Sequence, residues 1–176
     1  MAKTQIDLRS YVFDNGPAHL LGILPDRSLG NPPGQEFVVR LGQRAHAYNV
    51  RQRKYLGHVA SVEAGIRETE AKLLAFLPER IEGIAVLVDR AKAKPGQTVT
   101  AKIRVHPEAL SQVRFAVRVE VLRGDTPVPA YGRNVWVTGT TAYPLPLALN
   151  EPAGDARVRV TEVVSGFTAE TGFEVR

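Results

Sequence analysis

The sequence predicts an all-β protein built as two tandem antiparallel β-sandwiches, and three observations carry that prediction. Apolar and polar residues alternate along most of the chain, the period of two that sends successive side chains to opposite faces of a strand. Clusters of Gly, Asn, Asp and Pro interrupt this alternation about every ten residues, a strand-and-turn spacing. A chain of 176 residues also suits two cores of about 80 to 100 residues each better than one.

Composition excludes several classes. The hydrophobic fraction of 44% and charged fraction of 23% are those of an ordinary globular protein, and no apolar run approaches the roughly 20 residues that span a bilayer. A membrane partner is not expected. The first residues, Met1 to Leu8, lack the uninterrupted apolar core of an export signal, because Asp7 and Arg9 fall where that core would lie. With no cysteine there is no disulfide framework, so stability must come from packing.

The formal charge of +5 raises the question of nucleic acid, since clustered cations release counterions from phosphates. The charge is spread, however: residues 1–82 carry +2 and residues 83–176 carry +3. Many cations alternate with apolar residues, as in Arg114-Phe-Ala-Val-Arg118 and Arg157-Val-Arg159-Val, which places them on the wetted side of half-buried strands. No nucleic-acid partner is expected.

In the first domain, residues 1–82, Leu8–Phe13 and Ala18–Leu24 flank Asp14-Asn-Gly-Pro17, a tight-turn composition in which Asn and Gly tolerate positive φ. Pro25–Gln35 has no periodicity and reads as a surface loop before a strand at Glu36–Leu41. Arg44–Val50 and Lys54–Val62 alternate on either side of Arg51-Gln-Arg53, so His46-Ala-Tyr-Asn-Val-Arg-Gln-Arg-Lys-Tyr-Leu-Gly57 reads as a hairpin. Tyr48 and Tyr55 then pack across the sheet, Asn49 closes the turn with its side chain, and Arg51, Arg53 and Lys54 sit at a solvated tip. The competing reading of this stretch is a basic and aromatic binding patch, which needs both rings exposed beside the cations. Glu68–Leu77 consists of good helix formers, yet it is short and stops at Pro78; a strand is assigned because tertiary context overrides propensity in so short a run.

In the second domain, residues 83–176, strands are expected at Ile84–Val88, Thr98–Val105, Val113–Leu122, Val135–Thr138, Ala142–Leu149, Ala156–Val163 and Phe167–Val175. The breaks carry Lys94-Pro-Gly-Gln97, Gly124-Asp125, Gly139, Asn150 to Gly154 and Ser165-Gly166. About seven strands in such a length is the pattern of an immunoglobulin-like sandwich.

These segments resemble the non-catalytic C-terminal region of bacterial glycoside hydrolases, particularly β-galactosidase-like ones. Ala45 to Gly57 is similar to the recurring "Y-D-V-R-x-G-K-Y-L-G" hairpin of the β-sandwich that follows the catalytic barrel, and Glu70 to Pro78 to its "G-E-A-K-L-L-A-L-L-P" strand. Pro95-Gly-Gln-Thr-Val99, Tyr131-Gly-Arg-Asn134, Pro146 to Gly154 and Val160 to Gly166 resemble the immunoglobulin-like module that ends such proteins. The motifs cover most of the chain and describe turns and strands, not chemistry. Asn49 and Glu151 each stand where Asp is usual, and Asp155-Ala156 where a Trp often follows the Gly. The resemblance implies a secreted or periplasmic parent protein whose paired catalytic carboxylates lie on a barrel of about 250 residues, which this chain is too short to contain.

No catalytic motif takes the barrel's place: there is no Gly-x-Ser-x-Gly elbow, phosphate-cradling Gly-rich loop or His-Glu-x-x-His. His19, His46, His58 and His106 are far apart in sequence and read as surface or packing residues, so neither a metal nor a cofactor is expected. Arg123-Gly-Asp125 spells an adhesion tripeptide, but Gly-Asp is also what a hairpin turn requires. Trp136 reads as the core tryptophan of the sandwich with Tyr131 and Tyr143 covering its edges. The alternative is that Tyr131, Trp136 and Tyr143 form a platform for a sugar ring.

The expectation is therefore a non-catalytic accessory region, not an enzyme, which packs against or spaces a glycosidase domain in cis or in trans. A carbohydrate-binding module is the second expectation. If the chain stands alone, its apolar barrel-facing patch calls for self-association into a homo-oligomer.

Overall fold

The computed structural model describes residues 8–25, 35–66 and 70–176. Most of the loop expected at Pro25–Gln35, and the start of the Glu68–Leu77 segment, lie outside the described residues. The chain divides into two compact units, Met1–Arg80 and Ile81–Arg176, and the described residues form strands joined by turns and two short 3-10 segments, Glu108–Leu110 and Pro129–Tyr131.

The first unit contains β1 (Leu8–Asn15), β2 (Ala18–Pro25), β3 (Gln35–Asn49), β4 (Lys54–Ile66) and β5 (Lys72–Leu77) in one antiparallel sheet of order β1-β2-β5-β3-β4. Gly16, at φ 62, lets the chain reverse between β1 and β2 in two residues. The two strands expected at Glu36–Leu41 and Arg44–Val50 are one strand, β3, whose register against β4 jumps between Arg40 and Ala45. Such an irregularity interrupts the ladder locally. Among the described residues the first half of β3 pairs with β4 alone, whereas His46–Asn49 also pair with β5.

Val39, Leu41 and Val59 pack with Leu21 against the buried cluster Ala47, Val62, Leu74 and Phe76. These residues lie on β2, β3, β4 and β5, so one sheet supplies the whole cluster. β5 is a strand despite its helix-forming composition, because ladders to β2 and β3 satisfy its backbone on both edges while Leu74 to Leu77 are buried. Pro78 follows immediately and cannot donate to a ladder.

The second unit contains β6 (Gly83–Val88), β7 (Lys92–Ala93), β8 (Thr98–His106), β9 (Phe115–Arg123), β10 (Thr126–Pro127), β11 (Arg133–Val137), β12 (Thr140–Pro146), β13 (Gly154–Glu162) and β14 (Thr168–Val175). They form a three-stranded sheet, β12-β8-β6, and a six-stranded sheet, β10-β9-β13-β14-β7, with β11 also on β9. β7 pairs parallel to β14, so the leading segment of the unit contributes to both sheets. This is an immunoglobulin-like sandwich. Alternation fills its core: Val99, Ala101, Ile103 and Val105 on β8, Val117, Val119 and Val121 on β9, and Val158 and Val160 on β13 are all buried. Each buried valine or isoleucine contributes about 1.5–3 kcal/mol by leaving water, and Ala101 less.

Candidate aromatic face and its supporting polar clusters

The outer face of the six-stranded sheet carries the candidate site. On β11, Val135 and Val137 turn inward, so Trp136 turns outward and is 64% exposed. This corrects the core assignment of Trp136: strand parity gives the interior to the two valines, and large apolar residues such as Phe115, Leu110, Leu145 and Phe173 fill the sandwich instead. Trp136 lies opposite Ala116, a small residue that leaves the indole face open, and Asn134 lies opposite Arg118.

Inward from Trp136 the same face becomes a ladder of charges. Glu120 is opposite Arg159 and Arg159 is opposite Glu170. Arg159 donates to Glu170 at 2.6 Å, Arg157 reaches Glu170 and Asp125 at 2.8 Å each, and Arg118 lies 3.6 Å from Glu120. The Arg118 guanidinium also lies over Gly132, in the space a side chain there would share with it. A flat indole beside planar guanidinium and carboxylate groups can stack on an apolar sugar face while hydrogen-bonding hydroxyls.

The three aromatic residues do not form one platform. Tyr143 is on β12, in the other sheet, half-buried on the same side as Leu145. Tyr131 is occupied: its hydroxyl donates to Glu151 and accepts from the Ala148 N–H at 3.0 Å. Glu151 is buried and also accepts from Arg123 at 2.7 Å. Burial pushes the Glu151 carboxyl up, but the hydrogen bonds from Tyr131 and Arg123 outweigh it and hold the group below the usual carboxylate range. Burial and the Glu151 bond raise Tyr131.

Arg123 further donates to the carbonyls of Pro152, Gly154 and Asp155, stitching the end of β9 to the turn before β13. Gly124, at φ 56, and Asp125 make the two-residue reversal into β10. The Arg-Gly-Asp tripeptide therefore serves a turn whose arginine is committed internally.

In the first unit, the hairpin expected at residues 46–57 is present. Tyr48 lies opposite Tyr55 with ring centroids 5.0 Å apart, and Tyr48 is only 2% exposed. The Asn49 side chain accepts from the Gln52 N–H at 3.2 Å and donates to the Gln52 side chain at 3.0 Å, closing the turn as predicted. Arg51, Arg53 and Lys54 are exposed at the tip. Arg80, beyond β5, stacks its guanidinium 4.7 Å from the Tyr55 ring centre.

The histidines differ from expectation. His46 and His58 are cross-strand partners with rings stacked 4.6 Å apart, and His46 Nδ1 is 2.8 Å from the Tyr55 hydroxyl. A one-residue bulge at Leu56-Gly57, where Gly57 has φ 118, brings this about. Without it His58 would face the opposite side of the sheet, because one extra residue reverses every later side chain. Burial, the neighbouring His58 and Arg80 all lower the His46 pKa, and only Glu79 opposes them. Among the described residues no group of three His, Asp or Glu side chains is placed to hold a metal. His19 is 2.9 Å from Asp14.

Two further features were not legible as sites. An open groove of about 510 Å³, with Val12, Leu21, Val39, Leu41, Ala45 and Phe76 among its lining, runs along the sheet of the first unit. Glu162, fully buried at the end of β13, accepts from the N–H groups of Val164 and Ser165 at 2.7 Å and from the Ser165 hydroxyl at 2.5 Å. The sequence shows the acidic residue before a Ser-Gly turn, but burial of its carboxylate is a tertiary fact.

No protein-family model matches this chain, and no curated protein does. Among solved structures, an adhesin from Yersinia pseudotuberculosis, InvE, aligns over 97% of this chain and 59% of its own, at 13% identity and a TM-score of 0.42. A Salmonella alpha-2-macroglobulin mutant, Y1175G, aligns over 97% of this chain and 16% of its own, at 12% identity and a TM-score of 0.38. The chain thus spans under two thirds of either protein. Likeness at that level assigns no function, and the fold stands on the strand pairing described above.

Proposed function

We propose that the chain is a non-catalytic accessory region of a glycoside hydrolase-like protein, packing against or spacing a catalytic domain that the chain does not contain. The observation that carries this reading is the open groove of the first unit, whose lining includes Leu21, Val39, Leu41 and Phe76 and the irregular stretch of β3 between Arg40 and Ala45. Apolar surface left in water is favourable to cover. The resemblance of the β3–β4 hairpin and of β5 to post-barrel segments supplies the class of partner. The test is calorimetry of the chain with isolated glycoside hydrolase barrels, starting with any encoded beside it. Binding should be lost in Leu41→Glu, which places a charge in the groove. Absence of binding to every barrel, or turnover of nitrophenyl glycosides by the purified chain, refutes the proposal.

The exposure of Trp136 favours a second reading, a carbohydrate-binding face made of Trp136, Asn134 and Arg118. Because the indole points outward, Trp136→Ala should change stability by no more than about 0.5 kcal/mol. Affinity electrophoresis in polysaccharide gels is therefore clean. Retardation of the wild type that disappears in Trp136→Ala assigns binding to this face, and equal mobility with and without polysaccharide removes it.

A further inference from the structure

We propose that β1 is the seam of a symmetric dimer, pairing antiparallel with β1 of a second copy of this chain so that two five-stranded sheets join edge to edge. This goes beyond the accessory reading and does not rest on it. β1 ends the sheet, and among the described residues no strand pairs with its far edge. Tyr11, Val12 and Phe13, consecutive and therefore on both faces, are 46%, 67% and 56% exposed. Two of the usual blocks against edge pairing are missing, since β1 has no proline and its eight pairs with β2 run without a bulge, and its two charges, Arg9 and Asp14, lie towards its ends and leave Ser10 to Phe13 uncharged.

The ladder shows which backbone groups are offered. The Val50 N–H bonds the Leu73 carbonyl, so Leu73 and its alternates on β5 face β3, and Lys72, Leu74 and Phe76 face β2. Their partners Ile23, Leu21 and His19 face β5, leaving Leu20, Gly22 and Leu24 to face β1. On β1, then, Leu8, Ser10, Val12 and Asp14 turn their N–H and C=O groups outward.

A twofold axis through Val12 sets Val12 opposite its own copy, and twice sets Tyr11 opposite Phe13, Ser10 opposite Asp14 and Arg9 opposite Asn15. Apolar residues meet apolar ones and polar residues meet polar ones, the self-complementarity an isologous interface needs. Moving the axis to Tyr11 sets Ser10 against Val12, Arg9 against Phe13 and Leu8 against Asp14, which is mismatched throughout. The occupant that fits this edge is accordingly a second β1. One strand pair is a small contact beside the roughly 1,600 Å² of a standard interface, so the dimer should form reversibly with concentration.

Sedimentation velocity over about 1 μM to 1 mM tests this. The wild type is expected to pass from monomer to dimer, while Val12→Lys stays monomeric with an unchanged circular dichroism spectrum. The absence of native cysteine allows a second measurement that does not depend on that variant folding. Opposed residues of an antiparallel hydrogen-bonded pair lie about 5.5 Å apart at Cα, within disulfide reach. Val12→Cys should cross-link to a dimer on mild oxidation, and Tyr11→Cys should not. A wild type monomeric throughout overturns the proposal and leaves the edge to a strand of a different polypeptide. Cross-linking through Tyr11→Cys but not Val12→Cys also overturns it.

Discussion

Removing the Glu162 carboxylate should cost the second unit a large part of its stability. The group is fully buried and accepts two main-chain hydrogen bonds, from Val164 and Ser165, in addition to the Ser165 hydroxyl. In Glu162→Ala both N–H groups lose their acceptor, and each hydrogen bond to a charged group is worth about 1.5–3 kcal/mol. Val164 and Ser165 are half-buried, so water recovers part of this, and the low end applies: about 3 kcal/mol. For a unit of about this size that is a fall in Tm of roughly 12–24 °C. Glu162→Gln keeps one acceptor oxygen and should lose about half as much. Since the two units need not unfold together, the assay is amide hydrogen exchange read at β13 and β14. A loss below about 1 kcal/mol in Glu162→Ala would mean the turn is held by something other than the carboxylate, and the reasoning would fail.

Other outcomes follow from the same geometry. Gly57→Ala places a side chain at φ 118, a conformation almost restricted to glycine, and within 3.3 Å of Val59; it should destabilise the first unit by about 1–3 kcal/mol in urea titrations, and no change would show the bulge to be absent. His46 is held below its ordinary pKa by burial and then by His58; histidine resonances followed by NMR should show it rising in His58→Ala. Its contribution to stability is therefore full above the unfolded histidine value and is lost as the pH falls below it. Glu151, lowered in the folded state, stabilises the second unit above the unfolded carboxylate value, and this is lost as the pH falls through the lowered one. Tyr131→Phe removes a donor and should raise the Glu151 titration, and an unchanged titration curve would contradict the assigned bond.

Most of the longer strands were legible in the sequence, because alternation and turn residues act locally, whereas the short β7 and β10 were not, and β3 was read as two strands. Tyr48, Tyr55 and the Asn49 turn follow from counting along a hairpin. Composition likewise established that no disulfide holds the chain and that its charge is dispersed. What needed tertiary structure was every feature that depends on parity or on distant partners. One bulge residue at Leu56-Gly57 decides that His58 meets His46, and the pairing of β11 on β9 decides that Trp136 faces water while Val137 is buried and Val135 half-buried. Propensity favoured a helix for β5, and the hydrogen bonds offered by β2 and β3 overrode it. Alternation names two faces of a strand without saying which is buried. That choice belongs to the sheets that pack upon it, which are remote in sequence and invisible to a local reading.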